Sequence, residues 1–153
     1  LVRSAEGLTM SIGEEIRREI ASRQRRTVEI THPEVVQYAI TYRVPTDRSE
    51  VAAIFKRAEM NKKEASLADA SILALCCLEI KRYGTLVADD EGNPLTFRDK
   101  QLQEWVGAQS ARDAVRALYG SDGYVTTIAG RLLEEAGYGK DVEEIVEDPR
   151  SQS

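Results

Sequence analysis

The side chains with the widest chemical repertoire in this chain are a single histidine, His32, and two adjacent cysteines, Cys76 and Cys77. A serine or cysteine nucleophile needs an imidazole base that is itself held by a third group. His32 precedes Pro33 beside a predicted strand, and no orienting acid is suggested around it, so a structural role is expected. The cysteines fall in the most apolar run of the sequence, where a thiol packs as a small hydrophobe and loss of water disfavours its thiolate. Neighbours on a helix point about 100° apart, so this pair is not expected to form a disulfide. No Cys/His set has the spacing of a metal site. Asp89, Asp90, Glu91 and Asn93 make an oxygen-rich cluster, but a calcium loop of the EF-hand kind spreads its ligands over about twelve residues and ends in a bidentate Glu. A solvated turn is the reading that fits. Gly120-Ser-Asp-Gly123 lacks the Gly-Lys-Ser/Thr of a phosphate loop and reads as a connection between helices. These residues together point away from catalysis and imply no cofactor and no metal.

The composition bounds what remains. With 153 residues, 42% apolar and 31% charged, the chain is expected to fold as one domain with tails. A formal charge of −5 opposes phosphate on average, so nucleic acid is not an expected partner. The longest apolar stretch, Ile72 to Leu78, is far short of the roughly 20 residues that cross a bilayer, and no signal-peptide core is evident at the N-terminus. No membrane is expected, and without a disulfide framework a reducing, cytosolic compartment is favoured. Leu1 in place of Met leaves a non-AUG start and a trimmed chain both open.

Periodicity supplies the elements that would position these residues. Ile12, Ile16 and Ile20 recur every four residues behind Ser11, with Glu14 and Glu15 in the first turn, which predicts an amphipathic helix. Its second half is basic through Arg17, Arg18, Arg23, Arg25 and Arg26. Val36 to Val44 alternates with a period of two and predicts a strand, with Val28 and Ile30 as a short partner. Asp47 followed by Glu50 opens a helix to about Met60, whose apolar face is Val51, Ile54, Phe55 and Ala58. Asn61 to Lys63 is read as its exit. Ser66 and Asp69 are read as capping a buried helix running from Leu67 to Ile80 and ending at Lys81-Arg82-Tyr83-Gly84. The turn cluster from Asp89 to Asn93 predicts a hairpin with arms Thr85 to Ala88 and Pro94 to Phe97. Helices follow over 99–106, 110–119 and 122–136. The expected fold is mainly α, an α+β domain of five or six helices with a small antiparallel β element. The expected division is an Arg-rich N-terminal helix over 1–26, a helical core with a β-hairpin over 27–137, and an acidic tail over 138–153.

Two stretches in this order, Asp89-Asp-Glu-Gly-Asn-Pro-Leu-Thr-Phe97 and Ala111-Arg-Asp-Ala-Val-Arg-Ala-Leu-Tyr-Gly120, each followed by a helix, carry a likeness. Through them residues 36–137 resemble the tail assembly chaperones of siphophages that infect actinobacteria. The resemblance implies a small, non-catalytic helical protein that binds the tape measure protein, keeps it soluble and helps recruit tail tube subunits. It implies action in the host cell cytoplasm and absence from the mature virion. In many members a programmed frameshift adds a C-terminal extension. The Arg-rich first helix has no counterpart in the family pattern.

A partner-binding surface is expected on apolar stripes outside the core: Ile12, Ile16 and Ile20 at one end, and Val142, Ile145 and Val146 at the other. Self-association stays open. Two other readings compete, a small DNA-binding regulator built on the helix pair after Ser110, and a generic helical adaptor or structural subunit of a larger complex. Only Arg131 supplies a base on the second helix of that pair, which is poor chemistry for a phosphate backbone.

Overall fold

In the computed structural model, residues 2–3, 9–24, 26–60 and 67–138 are described. Among them are six helices and a four-stranded antiparallel sheet, an α+β fold as expected. A two-residue ribbon, β1 (Val2–Arg3) and β2 (Thr9–Met10), precedes α1 (Ile12–Gln24). Ser11 caps α1, its Oγ accepting the Glu14 N–H at 3.2 Å.

The sheet runs in the order β3 (Thr27–Thr31), β4 (Tyr38–Arg43), β5 (Cys77–Arg82), β6 (Thr85–Leu86). The alternation of β4 buries Ile40 and Tyr42 on one face, beside Ile30 and Ile80 from its neighbours. Glu29, Thr41, Glu79 and Lys81 occupy the other face, where Lys81 Nζ lies 3.8 Å from both Glu29 and Glu79. Val36, expected at the start of β4, instead sits in the turn that follows Pro33 and is 73% exposed. The alternation extends into a segment that must turn because the β3–β4 connection is short.

Asp47 caps α2 (Arg48–Met60), its carboxylate accepting from the Ser49 and Glu50 amides at 2.9 and 3.4 Å. The expected exit at Asn61 to Lys63 and the expected cap at Ser66 lie outside the described residues. The buried helix is shorter than the sequence predicts. α3 spans Ala68–Cys76, and the chain then turns directly into β5, so the expectation of one helix from Leu67 to Ile80 is corrected. The physical reason is that a run of apolar residues carries no period: Leu73 to Leu78 satisfies a helix buried on all sides as well as a central strand. The β partners decide. Cys77 pairs with Tyr42, Glu79 with Thr41 and Ile80 with Ile40, with a bulge that leaves Leu78 unpaired. That extra residue puts Cys77 on the buried face and leaves Leu78 41% exposed.

The expected helix exit at Lys81-Arg82-Tyr83-Gly84 is therefore a two-residue hairpin turn. Tyr83 and Gly84 both have positive φ, 53° and 75°, the requirement of a type I′ turn, which glycine meets without strain. Thr85–Leu86 pairs with β5 and not with residues 94–97, a second correction. A tight reversal still closes over the acidic cluster, through a single bridge between Ala88 and Pro94.

Three helices complete the domain: α4 (Lys100–Trp105), α5 (Ala111–Tyr119) and α6 (Asp122–Glu135). Ser110 and Ser121 cap α5 and α6, and Gly120 ends α5 at φ 76°, the left-handed cap conformation. Asp122 pins the intervening turn by taking two hydrogen bonds from Arg116 at 2.9 and 3.2 Å. α3 lies between α5, α6 and α2, with Ile72, Leu73 and Cys76 fully buried.

Truncating Leu73 to Ala should cost about 2–5 kcal/mol of stability, the range for a buried leucine, whereas Leu78→Ala on the bulge should cost less than about 1 kcal/mol. Urea unfolding of both variants measures this. Equal, large losses would restore the continuous helix.

Candidate functional site

Each side chain with chemical potential is built into the fold. His32 is 1% exposed at the end of β3. Its Nδ1 accepts the amides of Glu34 and Val35 at 3.0 and 2.9 Å, which fixes the tautomer with the proton on Nε2. Nε2 then donates to the Leu118 carbonyl at 2.8 Å, and the ring stacks on Tyr119 with centroids 5.1 Å apart. Both ring nitrogens are used, in three hydrogen bonds, so the ring ties the β3–β4 turn to α5. Beside it the hydroxyls of Tyr42 and Tyr119 share a hydrogen bond of 2.6 Å. Burial raises both phenols, and for Tyr42 the neighbouring Tyr119 raises it further.

Cys76 and Cys77 are free thiols, both buried. Burial pushes Cys76 up to about 11, partly opposed by Arg43, and Cys77 up to about 12, partly opposed by a backbone hydrogen bond from Phe97. Asp89 behaves as a turn former. Its carboxylate accepts the Glu91 and Asn93 amides, each at 2.9 Å, and the backbone hydrogen bond from Asn93 leads the causes that hold its carboxyl below the usual aspartate range. Among the described residues no group of three His, Cys, Asp or Glu is placed to hold a metal ion, and no helix is long and apolar enough to cross a membrane.

Several large apolar side chains are also left uncovered. Ile12, Ile16 and Ile20 are 60%, 47% and 45% exposed along one stripe of α1. No residue of α1 whose side chain is described is buried. Glu15 and Glu19 flank the stripe on one side and Arg17 on the other, at about 100° per residue. The other expected set, Val142, Ile145 and Val146, lies outside the described residues. Of the basic residues on this segment, Arg26 is engaged, bonding the Glu135 carboxylate at 3.0 Å and the Glu135 carbonyl at 2.8 Å. It anchors the end of the N-terminal segment to the end of α6.

A second surface escaped the sequence reading. A cleft of about 350 Å³ opens between the sheet and α4–α5, lined by Tyr38, Ile80, Val87, Leu102, Trp105 and Leu118 among others. Trp105 is 59% exposed at its edge. Helical periodicity marks Trp105 as a member of a short helix, and no linear signal tells that its helix stands back from the sheet.

The buried thiols and phenols predict an alkaline instability. All four have folded values raised above their ordinary ones, so their contribution is full below the unfolded values and is lost as pH rises through the folded ones. An unfolded thiol begins to ionise near pH 8.5. The melting temperature should therefore hold near neutrality and fall steadily above about pH 9. Replacing both cysteines with Ala should shift the onset toward the phenol range, near pH 10. A melting temperature that is flat to pH 11 would contradict the burial.

No family model matches this chain, and neither the curated proteins nor the solved structures contain a match. The functional reading therefore rests on the residues and their surfaces.

Proposed function

We propose that this protein is a non-catalytic assembly chaperone of phage tail morphogenesis that binds the tape measure protein and helps recruit tail tube subunits in the host cell cytoplasm. One observation carries the reading: the Ile12, Ile16 and Ile20 stripe stands exposed on a helix none of whose described side chains is buried. A long helical partner offers the complementary surface, since an amphipathic helix docks through anchors spaced three or four residues apart. Fully burying one isoleucine is worth roughly 1.5–3 kcal/mol, and these three start about half covered, so docking would gain on the order of 3 kcal/mol before its entropic cost. That suits reversible holding of a client.

The use of His32, Cys76, Cys77 and Asp89 in structural contacts supports a protein that works by its surfaces. A generic adaptor would use the same stripe, and gene order separates the two readings. A chaperone gene should lie between a tail tube gene and a very long tape measure gene. A DNA-binding regulator has less to support it, because the second helix of the α5–α6 pair opens on Asp122, which is committed to Arg116.

Replacing Ile12 and Ile16 with Asp tests the reading. The melting temperature should change by less than about 3 °C, because an exposed site away from the core contributes little to stability. Co-purification with a co-expressed tape measure fragment should be lost. A folded variant that still retains the fragment would overturn the assignment of the stripe as the docking face.

A further inference from the structure

The cleft beside Trp105 gathers the residue types that carry most of the energy where proteins grip one another. Buried Ile80 and Leu102 give it an apolar lining, and Tyr38 and Trp105 add two aromatic rings. Arg82 is the one charged residue among its described lining. Strand register brings these side chains together: Tyr38 and Arg82 are direct partners at the ends of β4 and β5, so they share a face. The Tyr83 amide donates to the Gln37 carbonyl at 2.8 Å, which holds the β5–β6 turn against the segment before β4. Val36 and Tyr83, 73% and 69% exposed, therefore stand at the same end of the sheet. Trp, Tyr and Arg are the side chains most enriched at the energetic centres of interfaces, and all three meet here.

The charge at this site is unanswered. Arg82 holds its guanidinium over the Tyr83 ring, 5.1 Å from the centroid. Among the described residues no ion pair includes it, whereas Arg26, Arg43 and Arg116 each meet a carboxylate. A guanidinium oriented by a ring beside an apolar hollow is placed to receive a carboxylate through charge-assisted hydrogen bonds. The hollow of about 350 Å³ takes a few side chains, whereas a stable face between two folded proteins covers about 800 Å² on each. Its size suits a short segment. No residue of α1 is among the described lining, so the cleft is separate from the Ile12, Ile16 and Ile20 stripe.

We infer that the Trp105 cleft docks a short segment of a partner protein, whose bulky apolar side chain packs against Tyr38 and Trp105 and whose neighbouring Asp or Glu pairs with Arg82. The inference is independent of the role proposed for α1 and gives the molecule a second hold. Because the chain carries a net charge of −5, Arg82 selects an acidic segment by position and not by bulk attraction.

Trp105 is the only tryptophan of the chain, so its fluorescence reports on the cleft directly. Short random peptides on a display library are selected in parallel on the full-length protein and on its Arg82→Glu variant, with thermal melting to check that the variant folds. The unaltered protein should enrich peptides with Asp or Glu next to Trp, Phe, Leu or Ile, and the variant should enrich Lys or Arg at that place. Synthetic copies of the first set should shift Trp105 emission to the blue and shield it from acrylamide. Trp105→Ala should weaken their binding at least about ten-fold, as loss of an interface hot spot does. Enriched peptides that all leave Trp105 emission unmoved would place binding elsewhere, and the same peptides from both selections would remove the role of Arg82. A lack of enrichment would mean that the cleft takes no such segment. A blue shift that grows with protein concentration alone, and vanishes in Ile16→Asp, would mean that a second copy's α1 fills the cleft. Each of these outcomes overturns the inference.

Discussion

The fold depends on the junction at Cys76–Cys77, where a helix buried on nearly every side becomes a central strand without an intervening loop. α3 brings Ile72 and Leu73 between the surrounding helices, and β5 carries Ile80 into the sheet. No linker absorbs a change in angle between them, so the helix layer and the sheet are fixed to one another. The bulge at Leu78 adjusts the join: it turns Cys77 inward against Tyr42 and directs Leu78 to solvent. The neutral thiols suit this position because they fill small volumes and need no strong hydrogen bond.

A second tie acts on the same helix-packed face of the sheet, through polar groups in place of apolar ones. His32 joins the amides of Glu34 and Val35 to the carbonyl of Leu118, and the Tyr42–Tyr119 hydroxyl pair lies beside it. No described buried side-chain nitrogen or oxygen lacks a partner, which keeps the tie from costing the penalty of an unmade hydrogen bond. Such a network specifies one arrangement of α5 on the sheet. It also gives the lone histidine a part in holding α5 to the sheet.

The parts of this arrangement that were legible in the sequence are those with a period or a cap. Ser11, Asp47 and Ser110 each cap the helix they were expected to start, and the alternation from Tyr38 to Val44 gave the buried face of β4. The apolar run through Cys76 and Cys77 was illegible because no polar residue interrupts it. Glu79 and Lys81 alternate with Ile80, yet this short signal begins where a helix could equally end. Arg82-Tyr83-Gly84 combines a basic residue with glycine, which suits both a helix exit and a hairpin. Of the candidate surfaces, the α1 stripe was visible as a spacing. Its exposure was not, because spacing alone leaves open whether a stripe docks on its own domain. The Trp105 cleft arises between elements distant in sequence, so no linear pattern announces it.

The molecule divides into a core whose His32, Cys76 and Cys77 are engaged in packing and hydrogen bonds and an N-terminal helix whose apolar stripe is exposed, the face we propose for a partner. Amide hydrogen exchange on the full-length chain, alone and with a co-expressed tape measure fragment, tests that division most directly. Free chain should exchange fast across residues 12–24 and slowly in α3 and β5, and the fragment should slow exchange at 12–24 while leaving α3 and β5 unchanged. Protection that appears around Trp105 and the sheet, with none gained at 12–24, would contradict the account and move the interface to the cleft.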